Sequence, residues 1–74
     1  MEVTHVGVSY KKLFKLLIDR NMKKKDLQKA AGLSPASVTK LAKNEIVRLD
    51  VLVKVCAALN VDFGEIMEFV PGAE

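Results

Sequence analysis

Residues 29–38, KAAGLSPASV, constrain this chain more than any other stretch. Gly32 suits a left-handed residue that ends a helix, because it has no Cβ to clash. Ser34 then offers a hydroxyl to cap a new helix. Pro35 fits the first helical position, where the missing N–H costs nothing. A helix must stop and another must start within three or four residues. Around this turn, residues 24–43 read KKDLQKAAGLSPASVTKLAK. Leu27, Ala31, Leu33, Val38 and Leu41 are spaced to set one apolar face of each helix against the other.

Two helices joined by a short glycine turn form a helix-turn-helix pair. The outer face of its second helix keeps small polar and basic groups: Ser37, Thr39, Lys40, Lys43 and Asn44. At 74 residues the chain holds one domain. A chain this small buries roughly 60% of its unfolded surface, so its core must be compact. Its single cysteine, Cys56, excludes an intramolecular disulfide, and metal-ligand spacing is absent. Apolar packing must hold the fold, and the 50% hydrophobic content supplies it.

Charge is unevenly placed. Residues 10–48 carry eleven Lys/Arg and three Asp/Glu, a local +8, whereas residues 49–74 carry one Lys and five acids, a local −4. A focused basic surface suits a polyanion; the bland alternative is a solvated lysine-rich face. Residues 1–9 are neither basic nor continuously apolar, so no secretory leader is expected. No apolar run approaches the roughly 20 residues of a membrane span. A cytoplasmic protein is the default expectation.

Along the chain, residues 2–8 form the one β-like stretch, with Val3, Thr4, Val6 and Val8. One short strand must pair with something. The candidates are Glu68-Phe69-Val70 or a second copy, and the alternative is a frayed arm. A first helix is expected from Ser9 or Tyr10 to Asn21, capped by Ser9. Its inner stripe is Leu13, Leu16, Leu17 and Arg20, with Tyr10 and Phe14 flanking. The second helix opens on Lys23-Lys24-Lys25, where the helix dipole disfavours cations. An anionic partner resolves that misfit; a tolerated exposed cluster is the bland reading. The third helix is expected from Pro35 to about Lys43, followed by a loop at Asn44-Glu45-Ile46.

A fourth helix is expected near Leu49 to Leu59, with a core stripe of Leu49, Leu52, Val53, Cys56 and Leu59. Val51 and Val55 lie off that stripe, which leaves the helix apolar over a second face. Either a fifth helix covers this face or a second protomer does. Asp62 and Glu65 have the spacing of a capping box for a fifth helix, whose inner face is Phe63, Ile66 and Met67. Pro71-Gly72 is expected to end the ordered structure.

Chemistry for catalysis is missing. His5 is the single histidine, and Cys56 sits on an apolar stripe with no histidine beside it. No glycine-rich phosphate loop, nucleophile elbow or zinc pattern appears. Neither an enzyme, a cofactor, a metal nor a small-molecule ligand is expected.

The stretches MKKKDLQKAAGLSPASVTKLAKNE and RLDVLVKVCAALNVDFGEIME resemble lambda-repressor-like helix-turn-helix domains of the Cro and xenobiotic-response-element type. The resemblance covers about residues 10–68. Its most specific part is L-x-x-L-x-x-[IV]-C-x-A-L-x-[VC] followed by a short fifth helix. It implies an all-α, compact five-helix domain, here with a short N-terminal strand. The organisation is then 1–9 arm or strand, 10–70 domain, 71–74 tail.

The resemblance also implies operator DNA binding by a homodimer, with the third helix in the major groove. Pro35 and Ala36 would then face base edges, Ala36 suiting a thymine methyl. Lys40 would donate to guanine further along the groove. Ser34, Ser37 and Thr39 would hold phosphates or bases by hydroxyl, and Lys43 and Asn44 would meet the backbone. Lys23 and Lys24 stand where the family has Thr-Gln, and Gln28 where it has a small residue. With few base-reading side chains, part of the specificity would come from DNA shape. The alternative is a protein-interaction module on the same fold, such as an antitoxin or accessory subunit.

Overall fold

The computed structural model describes residues 7–71. Residues 2–6 of the strand expected over 2–8, and residues 72–74 of the tail expected over 71–74, lie outside the described residues. The element order is β1 (Gly7–Ser9), α1 (Lys11–Asp19), α2 (Lys24–Ala31), α3 (Pro35–Ala42), α4 (Leu49–Leu59), a 3-10 turn (Phe63–Glu65) and β2 (Glu68–Val70).

All four α-helices end the same way. The residue leaving each helix is left-handed: Asn21, Gly32, Asn44 and Asn60, with φ of 61°, 67°, 57° and 56°. Only Gly and, less readily, Asn take this conformation cheaply. The next N–H then reaches back five residues, the Schellman closure that satisfies an orphan carbonyl. The bonds are Met22 to Leu17 at 2.8 Å, Leu33 to Gln28 at 2.9 Å, Glu45 to Lys40 at 2.9 Å and Val61 to Cys56 at 3.1 Å. Such a closure favours an apolar side chain just past the helix. Met22, Leu33 and Val61 obey, and all three pack on the core. Glu45 does not.

The fourth closure is completed from elsewhere. Tyr10, 1% exposed, enters beside it. Its N–H donates to Asn44 Oδ1 at 2.9 Å. Its hydroxyl donates to the Glu45 carbonyl at 3.0 Å. A tyrosine suits this place because its ring fills apolar space while its tip finds a partner. The start of α1 is thereby tied to the end of α3.

The core gathers Leu13 and Leu17 of α1, Leu27 of α2, Leu33, Val38 and Leu41 around the turn, and the inner side of α4. Arg20 adds a cross-link: its guanidinium donates to the Leu59 carbonyl at 2.6 Å, so the end of α1 caps the end of α4. Lys12 ties α1 to the C-terminal segment through the Gly64 carbonyl at 3.2 Å and Glu68 at 3.8 Å.

Four expectations change. The fifth helix is a single 3-10 turn, so the described residues hold four α-helices. Asp62 and Glu65 do form their box: Asp62 Oδ1 accepts from Phe63 N–H at 2.8 Å and Glu65 Oε2 from Asp62 N–H at 3.0 Å. Gly64 in the turn and the β-favouring Phe69-Val70 beyond it stop propagation. The all-α class therefore gains a small antiparallel sheet, with Gly7 opposite Val70, Val8 opposite Phe69 and Ser9 opposite Glu68. Of the proposed strand partners, the chain's own C-terminus is the one observed.

On α4 the inner stripe is Val51, Leu52, Val55 and Leu59. Leu49 and Val53 instead face out, at 64% and 49% exposure. Apolar residues cover two faces of this helix, and the face opposite α2 and the 3-10 turn is the one buried. Finally, α1 spans Lys11–Asp19 rather than Ser9 or Tyr10 to Asn21, because Ser9 belongs to β1, Tyr10 is the residue that precedes the helix and Asn21 is left-handed. Ser9 Oγ still accepts from Lys11 N–H at 3.3 Å.

Candidate nucleic-acid interface

The turn at the centre of the molecule is built as its residues dictate. Gly32 is left-handed at φ 67°, and a Cβ there would meet nothing within 4 Å. The glycine is required by its backbone and not by crowding. Ser34 is extended at φ −79°, ψ 158°, and its Oγ accepts from Ser37 N–H at 3.2 Å. Pro35 follows at the first helical position. Leu33 and Val38 anchor the turn from inside.

This anchoring turns the rest of α3 outward. Ser34, Pro35, Ala36, Thr39, Lys40 and Lys43 are exposed, and Ser37 is half-buried. Eight residues of helix make a rod about 12 Å long. Its hydroxyls are occupied locally. Thr39 Oγ1 donates to the Pro35 carbonyl at 3.0 Å, and the Ser34 and Ser37 hydroxyls lie 3.1 Å apart. Lys40 and Lys43 carry the helix's cationic groups. Asn44, half a turn on, is left-handed and has its Oδ1 committed to Tyr10.

Four of the predicted site residues line two grooves. Ser37 and Lys40 border one of about 250 Å³ beside α3, with Ile46, Val47, Arg48 and Val51. Lys23 and Lys24 border the other, of about 400 Å³, which lies at the start of α2 and reaches Ala42 of α3. Lys23 precedes α2 in extended conformation, and its N–H donates to Asp26 at 2.8 Å. Asp26 in the first turn offsets part of the lysine misfit with the helix dipole. Lys24 lies over the Phe14 ring, 5.7 Å from its centroid, which restrains the ammonium at the surface.

Among the described residues, the ion pairs are Lys12 with Glu68 and Arg48 with Asp50. The lysines of α2 and α3 therefore stand without acidic partners there. Three residues that matter to this surface were not assigned to it from sequence. Arg48 lines the groove beside Lys40, Phe14 holds Lys24, and Tyr10 fixes the loop between α3 and α4. The signal for Tyr10 was its rarity, as the chain's one tyrosine. Burial pushes its hydroxyl above the ordinary value of 10.0, against a smaller opposing effect of the Val47 backbone.

Cys56, by contrast, is half-buried on α4, and its thiol is raised above 9.0, first by burial and then by Asp62 and Glu65. That disfavours the thiolate a nucleophile needs. No helix among the described residues is long and apolar enough to cross a membrane.

Comparison with known proteins agrees with this geometry. The profile of the Cro/C1-type HTH DNA-binding domain matches residues 12–72. No curated protein matches. A crystal structure of the transcriptional regulator VanUg is similar, at 51% identity and a TM-score of 0.86, over 96% of this chain and 95% of that one. The chain belongs to the family of Cro/C1-type helix-turn-helix DNA-binding domains.

Proposed function

We propose that the protein is a small transcriptional regulator that binds duplex DNA sequence-specifically, as a homodimer, with α3 in the major groove. The observation that carries this reading is the outward face of α3, flanked by lysines without acidic partners among the described residues. Lys23, Lys24, Lys43 and Arg48 neutralise phosphates and set affinity by counterion release. Pro35, Ala36 and Lys40 face the bases, with Lys40 donating to guanine O6 or N7. Asn44 serves the backbone through its amide nitrogen, since its oxygen is committed to Tyr10. The similarity to the regulator VanUg supports the same role.

One domain makes few base contacts, so two copies on a palindromic site are expected. Ile46, after α3, and Leu49 and Val53, one turn apart on α4, are apolar and exposed, Ile46 at 72%. We assign the dimer contact to these residues, because exposed apolar groups of this size favour burial against a second copy. A repressor-like action follows from occupancy of the site alone. The second reading, a protein-interaction module, draws on the local commitment of the α3 hydroxyls, which leaves few groups to read bases.

A salt titration on duplex DNA separates the two. Affinity should fall with a slope of about −0.9 per phosphate, roughly −7 for a dimer touching four phosphates per protomer. Lys24→Ala should weaken all sequences alike, and Lys40→Ala should blur sequence preference more than it lowers non-specific affinity. Absence of duplex binding at about 50 mM salt would leave only the protein-interaction reading. Selection from randomised duplexes gives the half-site spacing, and with it the dimer geometry.

A further inference from the structure

On α1, Lys11, Phe14, Lys15 and Ile18 are spaced i, i+3, i+4 and i+7, which puts them on one side of the helix. This is not the side that enters the core, which is marked by Leu13 and Leu17. Ile18 is 76% exposed, more than any other large apolar side chain among the described residues. With Ala42 and Asn44 these four residues line a groove of about 420 Å³ between α1 and the end of α3. The groove of about 400 Å³ at the start of α2 adjoins it, sharing Phe14, Ile18 and Ala42 and adding Met22, Lys23 and Lys24.

The two form one trough with a consistent chemistry. Its floor is apolar: Phe14, Ile18, Met22 and Ala42. Its rim is cationic: Lys11, Lys15, Lys23 and Lys24. Among the described residues, no acidic side chain lines either half.

We propose that this trough docks an acidic amphipathic helix of a partner protein. Apolar side chains at i, i+4 and i+7 of such a helix fill the floor, as in other helix-in-groove contacts. Acidic residues on its flanks meet the four lysines. Duplex DNA satisfies the lysines but leaves Ile18 in water, because its backbone offers no apolar group to the floor. A second copy of this chain would bring its acidic C-terminal half to the basic trough, a head-to-tail contact that gives a ring or an open chain and not a two-fold dimer. The docking rests on the trough alone. One consequence rests also on the DNA reading: Lys23 and Lys24 serve both ligands, so the docked helix competes with DNA.

The test is a nuclear magnetic resonance titration of the full chain, without DNA, against a synthetic helical peptide. The peptide carries leucines at i, i+4 and i+7 with glutamates on both flanks. The expected result is saturable shifts at Phe14, Ile18, Met22 and Ala42. Replacing the glutamates by glutamine should weaken binding by roughly tenfold or more, as should Ile18→Ser and, independently of any folding effect there, Lys15→Glu. Equal affinity for the glutamine peptide overturns the proposal. So do shifts that spread over the lysines and spare Ile18. Loss of self-association on Ile18→Ser, by sedimentation, overturns it too, by placing a second copy in the trough. These outcomes are independent of whether the chain binds duplex DNA. In a separate titration the bound peptide should displace duplex DNA, and simultaneous binding would refute the shared use of Lys23 and Lys24.

Discussion

The ends of α2 and α3 have the same backbone and different supports. Both close with a left-handed residue and an N–H that returns five residues. After α2 the parts are adjacent in sequence: Gly32 makes the bend and Leu33 plugs the core. After α3 the bend is Asn44, and the next residue, Glu45, is exposed. The plug is Tyr10, 34 positions from Asn44 in sequence. One closure is therefore self-contained, and the other depends on α1 being in place. Those dependences coincide with the proposed roles. The first turn aims α3, and the second sets the loop that carries Asn44 and Arg48 beside it.

The largest test removes each plug. Tyr10→Ala should cost roughly 3–5 kcal/mol and Leu33→Ala roughly 2–4 kcal/mol, as for other large-to-small changes in a packed core. Magnitude alone does not separate the two closures; location does. Tyr10→Ala should raise amide exchange at residues 44–48 above the rest of the chain, whereas Leu33→Ala should raise it around the α2–α3 turn. Uniform exchange in both variants would mean that the two ends form one cooperative unit, and the contrast would fail.

This contrast also explains what could be read from sequence. The α2–α3 turn was legible because Gly32, Ser34 and Pro35 each have a local reason to be there. The pairing partner of β1 was legible as a short list, because Phe69-Val70 lies past the last expected helix and a second copy was the remaining choice. The buried side of α4 was not. Leu49, Val51, Leu52, Val53 and Val55 are all apolar, so spacing alone fits more than one stripe. Contact with α2 decides that Val55 enters and Val53 does not. The single 3-10 turn was missed for a related reason. Asp62 and Glu65 mark where a helix can begin, and the sheet with β1 decides how soon it ends. Asn44 shows the same limit within the candidate site. Its place after α3 suited a DNA contact, whereas its left-handed backbone and its bond to Tyr10 also demand asparagine there.

A smaller effect comes from the bends themselves. Gly32→Ala should cost about 1–2 kcal/mol, the penalty of a Cβ at positive φ, since nothing crowds the new methyl. Asn44→Gly keeps the bend and loses the acceptor for Tyr10 N–H, at about 1 kcal/mol. The pair sharpens the comparison, because the first change strains a local conformation and the second removes a long-range tie. Chemical denaturation measures both. A larger loss for Asn44→Gly than for Gly32→Ala would make the α3 end the more dependent on side chains than the geometry implies.

The finest test isolates one hydrogen bond. Tyr10→Phe keeps the ring and deletes the donor to the Glu45 carbonyl, which should cost about 1 kcal/mol at neutral pH. It should also change the alkaline limb of stability. Burial holds the folded hydroxyl above 10.0, so between the unfolded and folded values the folded chain keeps a proton that the unfolded chain has released. Stability from this group is fully present below about pH 10 and is lost as pH rises through the folded value. The phenylalanine variant lacks that loss. The stability difference between the two proteins should therefore narrow as pH climbs past 10, even though the lysines titrate in both. Parallel alkaline limbs would show that the Tyr10 hydroxyl releases its proton as easily folded as unfolded, and the α3 closure would then be held by the ring and by Asn44 alone.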